Sequence, residues 1–231
     1  MSVPALLAVA ALAGAAAISS SSSSGSRARA TTAETKARKV RLVKLLREGQ
    51  WRIAQEETEA LGGKALDLSG SDLSGVDLAQ AYLPGANFKK TDLSRANLFA
   101  AQLSGCDLSE ANLSNANAEV AELRGAVLKG AKLRGTKLKN SNMERANLAA
   151  ADLTDADLSS AHFRSANLSG AKLKGANTYN ANFDRAIIPD GFLAPGTLID
   201  DLMWTGVPSG WKLVFGSSGT SLYPIHAHLQ P

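Results

Sequence analysis

The chain has 231 residues, a net charge of +4, and 45% hydrophobic residues of which few are aromatic. A lone cysteine excludes an intrachain disulfide, and so mild a charge gives no argument for nucleic acid by itself. The apolar share rests largely on alanine and leucine, which suits a narrow, uniform core rather than a broad, irregular one.

Residues 1–30 form the first unit. Val3 to Ile18 is apolar without a break, Ser19 to Ser24 is all serine, and Arg27 is the first charged side chain. The apolar stretch is shorter than the ~20 residues of a spanning helix. It reads as the hydrophobic core of a secretory signal, with Ala15, Ala16 and Ala17 as a cleavage region, although a basic leader is missing. The serine- and arginine-bearing, acid-poor stretch behind it resembles a plastid transit peptide. Export or a plastid address, the thylakoid lumen included, is therefore expected. The alternatives are an uncleaved membrane anchor, with membrane contact only through residues 1–20, and an alanine-rich tail.

Residues 31–64 read as a helical lead-in. Thr31 and Glu34 form a capping-box pattern ahead of Val40, Leu42, Val43, Leu45 and Leu46. Gly49 interrupts this helix, Trp51 opens a second one, and the Gly62-Gly63 pair closes it. The basic, apolar-striped helix is expected to pack on the domain that follows.

Residues 65–190 carry a repeat of period five. Every fifth residue from Leu68 to Ile188 is large and apolar except Ala118 and Thr178, and two residues before each stands a small one, mostly alanine. A helix cannot use this pattern, because a step of five advances about 500° and the leucines drift around the axis. A continuous strand fails because an odd period sends alternate leucines to opposite faces. A short strand plus a turn succeeds. Small, polar and large residues alternate in, out, in, and two residues turn the corner. Gly70, Gly75, Gly85, Gly105, Gly125, Gly130, Gly135, Gly170 and Gly175 fall at the second turn position, where a type II turn needs positive φ. Four corners close a square coil, and coils stacked at ~4.8 Å make a rod on the order of 30 Å long.

Repeats such as ADLTD, ANLSG, AKLKG and ANFDR resemble the pentapeptide-repeat family. The resemblance implies an all-β fold: a right-handed, four-sided β-solenoid, here of about six coils, with a short N-terminal helical cap. LLREGQWRIAQEE resembles the family's helical lead-in, and AIIPDGF resembles its last coil. Residues 191–231 then read as a C-terminal cap and tail, in which VPSGWKLVFG resembles a Trp-containing insert. Trp204, Trp211, Leu213 and Phe215 are expected to close the coil end, since an open end is an aggregation edge.

Side chains one coil apart are expected to neighbour each other, and this pairs most surface charges. Arg124, Glu144, Arg164 and Asp184 make one alternating column; Asp92, Asn112, Lys132, Asp152 and Lys172 make another. Arg124, Lys129, Lys132, Arg134, Lys137 and Lys139 form a basic ring without an acid among them. Glu144, Asp152, Asp157 and Glu119 are expected to neutralise it, leaving Lys129 and Arg134 free. Ala118 and Thr178 share a face, which is expected to flatten or dent there with Phe99 and Tyr179 exposed beside it.

These readings make Lys129, Arg134, Phe99 and Tyr179 the candidate partner-binding residues. No catalytic, cofactor or metal site is expected. His162 sits outward alone, His226 and His228 lack companions, Cys106 takes a small inward position, and the serines lie in turns without a base. The expected function is a non-catalytic scaffold for an unidentified protein partner. The alternative is the DNA-mimicking topoisomerase (gyrase) inhibition known in some pentapeptide-repeat proteins. It needs a dense acidic surface, whereas Leu66 to Ala186 holds 13 acids and 14 bases.

Overall fold

The computed structural model describes residues 24–60 and 66–189, together with the two strands of a C-terminal hairpin. Helix α1 spans Ser24–Arg47 and helix α2 spans Trp51–Ala60. The α1 start differs from the expected one. Alanine and arginine between Arg27 and Ala30 are strong helix formers, so the helix propagates through Thr31 instead of starting there, and the cap is longer than expected. Its end is as expected. Gly49 has φ 72°, and the Gly49 and Gln50 amides donate to the carbonyls of Leu46 and Leu45 at 3.0 and 2.8 Å, a Schellman closure. Gly62 and Gly63 lie outside the described residues.

The helical pair covers the first coil. Leu42, Leu46 and Ala54 are buried and join the same core as Leu66, Leu68 and Leu73. Arg47 Nη2 donates to the Asp72 carbonyl at 2.9 Å and pairs with the Asp72 carboxylate at 3.1 Å. Lys39 Nζ donates to Ser69 Oγ at 2.9 Å. The carbonyl bond matters most, because the bottom coil has no coil beneath it to satisfy its downward-facing backbone groups.

From Leu66 onward the chain forms a β-solenoid. Parallel bridges join Asp67 to Asn87, Asp72 to Asp92, Asp77 to Asn97 and Tyr82 to Gln102, and continue at the same spacing to Asn167 and Ile187. Each side contributes one bridged residue before a turn, so no side grows into an extended strand.

The hydrogen bonds show why a pentapeptide suffices. In the first repeat, the Leu68 amide donates up to the Asn87 carbonyl and the Gly70 amide to the Lys89 carbonyl, both at 2.8 Å. The Asn87 amide donates down to the Leu66 carbonyl at 2.8 Å, and the Ser71 amide closes the turn on the Leu68 carbonyl at 3.1 Å. That leaves one amide per repeat, at the first turn position. Every Asp or Asn at the outward middle position accepts it through Oδ1, as Asp67 does from the Ser69 amide at 3.1 Å and Asn182 does from the Asp184 amide at 2.8 Å. Where the middle residue is Tyr82 or Ile187, the first turn residue is Pro84 or Pro189, which has no amide to satisfy.

Second turn positions all have positive φ. The nine repeat glycines lie between 64° and 72°, and non-glycine residues such as Lys90, Asn140 and Arg185 lie near 57°. Positive φ at this position alone identifies type II turns.

The core is two stacked registers. Phe88, Phe163, Phe183 and the leucines are fully buried, and the Phe163 and Phe183 rings stack at 4.9 Å with 5° between planes. Three polar residues in the small register donate down one coil, whereas Ser141 Oγ donates to the Leu138 carbonyl of its own turn at 2.7 Å. Thr91 Oγ1 bonds to the Leu68 carbonyl and Thr136 Oγ1 to the Leu113 carbonyl, both at 2.8 Å, and Cys106 Sγ to the Leu83 carbonyl at 3.0 Å. The expected dent is not in the backbone. Ala118 is buried and its amide keeps the ladder bond to the Lys137 carbonyl at 2.8 Å. The ladder is a backbone property, so losing a leucine side chain does not bend it.

The hairpin pairs β1 (Trp211–Gly216) with β2 (Gly219–Pro224), antiparallel, with Leu213 opposite Leu222. Closure of the coil end by the side chains of Trp204, Trp211, Leu213 and Phe215 lies outside what is described.

Candidate interaction surface

The turns place every surface side chain at the outward middle of a side or at one of the two residues of a corner, and second-corner residues such as Lys90, Glu110 and Asp155 are exposed. The basic ring occupies middle and first-corner positions. Arg124, Lys129, Arg134 and Lys139 stand at the successive first turn positions of one coil, with Lys132 and Lys137 on the two sides between the last three. Lys129, Lys132, Lys137 and Lys139 are exposed.

The neutralisation expected for this ring is only partly present. Arg124 pairs with Glu144 at 3.9 Å, in the same column as the Arg164–Asp184 pair at 3.1 Å. Arg134, expected to be free, pairs with Asp155 at 3.3 Å. The partner stands 21 residues away, one position past the residue directly above, and a long arginine crosses that diagonal.

Lys129, Lys132, Lys137 and Lys139 make no ion pair among the described residues. The acids assigned to Lys132 and Lys137 are turned onto their own corners. Asp152 Oδ1 accepts from the Thr154 hydroxyl at 2.6 Å and the Thr154 amide at 3.1 Å. Asp157 Oδ1 accepts from the Ser159 amide and from Asn177 Nδ2, both at 3.0 Å. The Thr154 hydrogen bonds, followed by the charges of Lys172 and Arg134, hold the Asp152 carboxyl below its ordinary range.

Phe99 and Tyr179 stand on one edge of the rod, at the corner column that also holds Glu119, Lys139 and Ser159. Phe99 is 39% exposed and Tyr179 79%. Intervening coils separate them, so they make two apolar points on an edge and not one patch. Tyr82 and Val120 are exposed as well. Val120 has φ 60°, a β-branched residue held in the left-handed region.

Cys106 is fully buried, and burial pushes its thiol up to about 12. His162 is exposed at an outward middle position. No group of His, Cys, Asp and Glu among the described residues could hold a metal ion, and no described helix is long and apolar enough to cross a membrane.

One feature escaped the sequence reading. Glu122, Val127, Lys132 and Lys137 occupy four consecutive middle positions, so one whole coil lacks Asp or Asn there. The amides of Lys129, Arg134 and Lys139 accordingly find no acceptor among the described residues. The signal was present as an interruption in the middle register, but only the turn hydrogen bond gives that register a meaning.

The family model for pentapeptide repeats matches in 8 copies over residues 66–98, 101–140 and 141–177. Among solved structures, the chain is similar to HetL, a pentapeptide repeat protein involved in heterocyst differentiation regulation from the cyanobacterium Nostoc sp. strain PCC 7120. The identity is 34% over 57% of this chain and 71% of that one, with a TM-score of 0.33. QnrB1, a plasmid-mediated fluoroquinolone resistance protein, is 22% identical over 59% of this chain and 92% of that one, with a TM-score of 0.42. A pentapeptide repeat protein from the Arabidopsis thaliana thylakoid lumen is 24% identical over 51% and 65%, with a TM-score of 0.27. No curated protein matches. With its repeats matched along the solenoid and 34% identity to a pentapeptide repeat protein of which it covers 71%, the chain belongs to the pentapeptide-repeat family.

Proposed function

We propose that the protein is a non-catalytic scaffold whose solenoid presents side chains to a protein partner. The coil is read as right-handed, with about six turns, on the strength of the family membership and the stacking geometry. One observation carries the functional reading: between Leu66 and Pro189 the ladder leaves only middle and corner side chains variable at the surface, with the rest committed to core and turns. Lys129, Arg134, Phe99 and Tyr179 are proposed contacts of that partner. The test is affinity capture with the full chain from the compartment where it resides. A partner recovered reproducibly, and lost when these four residues become alanine while the fold persists, supports the reading; no reproducible partner counts against it.

The second reading, inhibition of a type II topoisomerase by DNA mimicry, is disfavoured by the near-equal acids and bases of the rod. Inhibition in a gyrase supercoiling assay would reverse that judgement. An exported or plastid address, with a membrane anchor as the alternative, is proposed from residues 1–30. Fusing that segment to a reporter separates the destinations.

A further inference from the structure

We infer that the coil from Glu122 to Lys139 is a docking belt for an extended acidic segment of a partner protein; this rests on the scaffold reading and names the chemistry of its partner. Two observations meet on this coil. It carries four exposed lysines without an ion pair among the described residues, Lys129, Lys132, Lys137 and Lys139. It is also the coil whose middle register supplies no Asp or Asn, so the corner amides of Lys129, Arg134 and Lys139 lack the acceptor that such a residue supplies elsewhere, as Asn147 does for Ala149 at 3.1 Å. An incoming carboxylate fits both deficits. It takes the place that an Asp carboxylate holds on neighbouring coils, accepting the corner amide while lying beside a lysine.

The dimensions choose the partner. Acids flank the belt below, at Asp107, Glu110 and Glu119, and above, at Glu144, Asp152, Asp155 and Asp157, while Glu122 stands at its near end. Coils are spaced at ~4.8 Å, which is also the width one extended chain needs beside another. A membrane plane or a DNA duplex, whose major groove alone is about 12 Å wide, would cover the acidic coils as well. Single-stranded nucleic acid is bound by stacking on aromatic side chains, and residues 124–143 contain none.

The test uses the full chain and a fluorescein-labelled peptide of alternating glutamate and glycine. Binding is measured by anisotropy beside a labelled oligo-dT and vesicles containing phosphatidylglycerol. The expected result is peptide binding that weakens with salt and falls at least about tenfold in the K129A/K132A/K137A/K139A variant. Val127→Asn supplies the missing acceptor to the Lys129 amide without changing charge, and is expected to weaken the peptide by about threefold while the circular dichroism spectrum stays the same. Lys89→Ala with Lys90→Ala, outside the belt, leaves binding intact. Equal peptide binding by wild type, the quadruple variant and V127N overturns the inference, as does tighter binding of oligo-dT or vesicles than of peptide. If partner capture persists while the peptide test fails, the belt is wrong and the scaffold reading stands.

Discussion

Thr178 and Thr136 invite the same substitution with opposite outcomes. Both are buried, 2% and 0% exposed, and valine reproduces the shape of each. Thr136 Oγ1 donates to the Leu113 carbonyl at 2.8 Å, whereas Thr178 Oγ1 has no partner among the described residues. A buried hydroxyl without a hydrogen bond costs about 1–3 kcal/mol, so Thr178→Val should stabilise by about 1 kcal/mol or more. Thr136→Val removes a hydrogen bond worth about 0.5–1.5 kcal/mol. The cost stays at that level because the Leu113 carbonyl still accepts from the Ala116 amide at 2.9 Å. The two variants should therefore differ by about 2 kcal/mol, or roughly 4–8 °C in Tm for a chain of this size. Thermal melting by circular dichroism measures the shift. Native-state hydrogen exchange at neighbouring amides places it on the substituted coil, since a stacked array can open locally. Equal destabilisation by both substitutions, or a lower Tm for Thr178→Val, would refute the hydrogen-bond accounting.

Leu46→Ala, at a fully buried contact between α1 and the first coil, should cost about 2–5 kcal/mol and speed hydrogen exchange of the first coil ahead of the rest, read by exchange mass spectrometry. Val120→Gly should raise Tm, because relieving a non-glycine left-handed backbone is worth about 1 kcal/mol and Val120 is half exposed. Cys106 should resist a thiol reagent at pH 8 until the chain is unfolded. Its raised folded value means the folded state holds the proton longer than the unfolded one, so stability is full below about 9 and declines as pH rises towards about 12, measurable by urea titration across that range. At the acid end, Asp152 works the other way. Its carboxyl is depressed chiefly by the Thr154 hydrogen bonds, so its contribution is present above 3.8 and lost as pH falls below it, and Thr154→Ala should shrink that loss.

Much of the fold was legible from spacing alone. Leucine and alanine registers without insertion imply a fixed-length coil, and the corner does not require glycine, since Lys90, Asn140 and Arg185 hold the same positive φ as the nine repeat glycines. The helix start at Ser24 was missed because a capping pattern competes with helix-forming residues on both sides of it, and propagation through Thr31 costs little. Of the candidate contacts, exposure of Phe99 and Tyr179 followed from their corner positions. The Arg134 pairing did not, because stepping by whole coils sees only the residue directly above.

The sequence by itself determined which residues face inward, where the chain turns and how the coils stack, since each depends on a period that backbone geometry reads directly. The tertiary structure decided where the charges point. An Asp one coil from a lysine has two calls on its carboxylate, the lysine and the amide of its own corner, and at Asp152 and Asp157 the corner amide is nearer and fixed. That local bond leaves the lysines of one coil unpaired, and it turns the absence of Asp and Asn beneath them into the most distinctive feature of the surface.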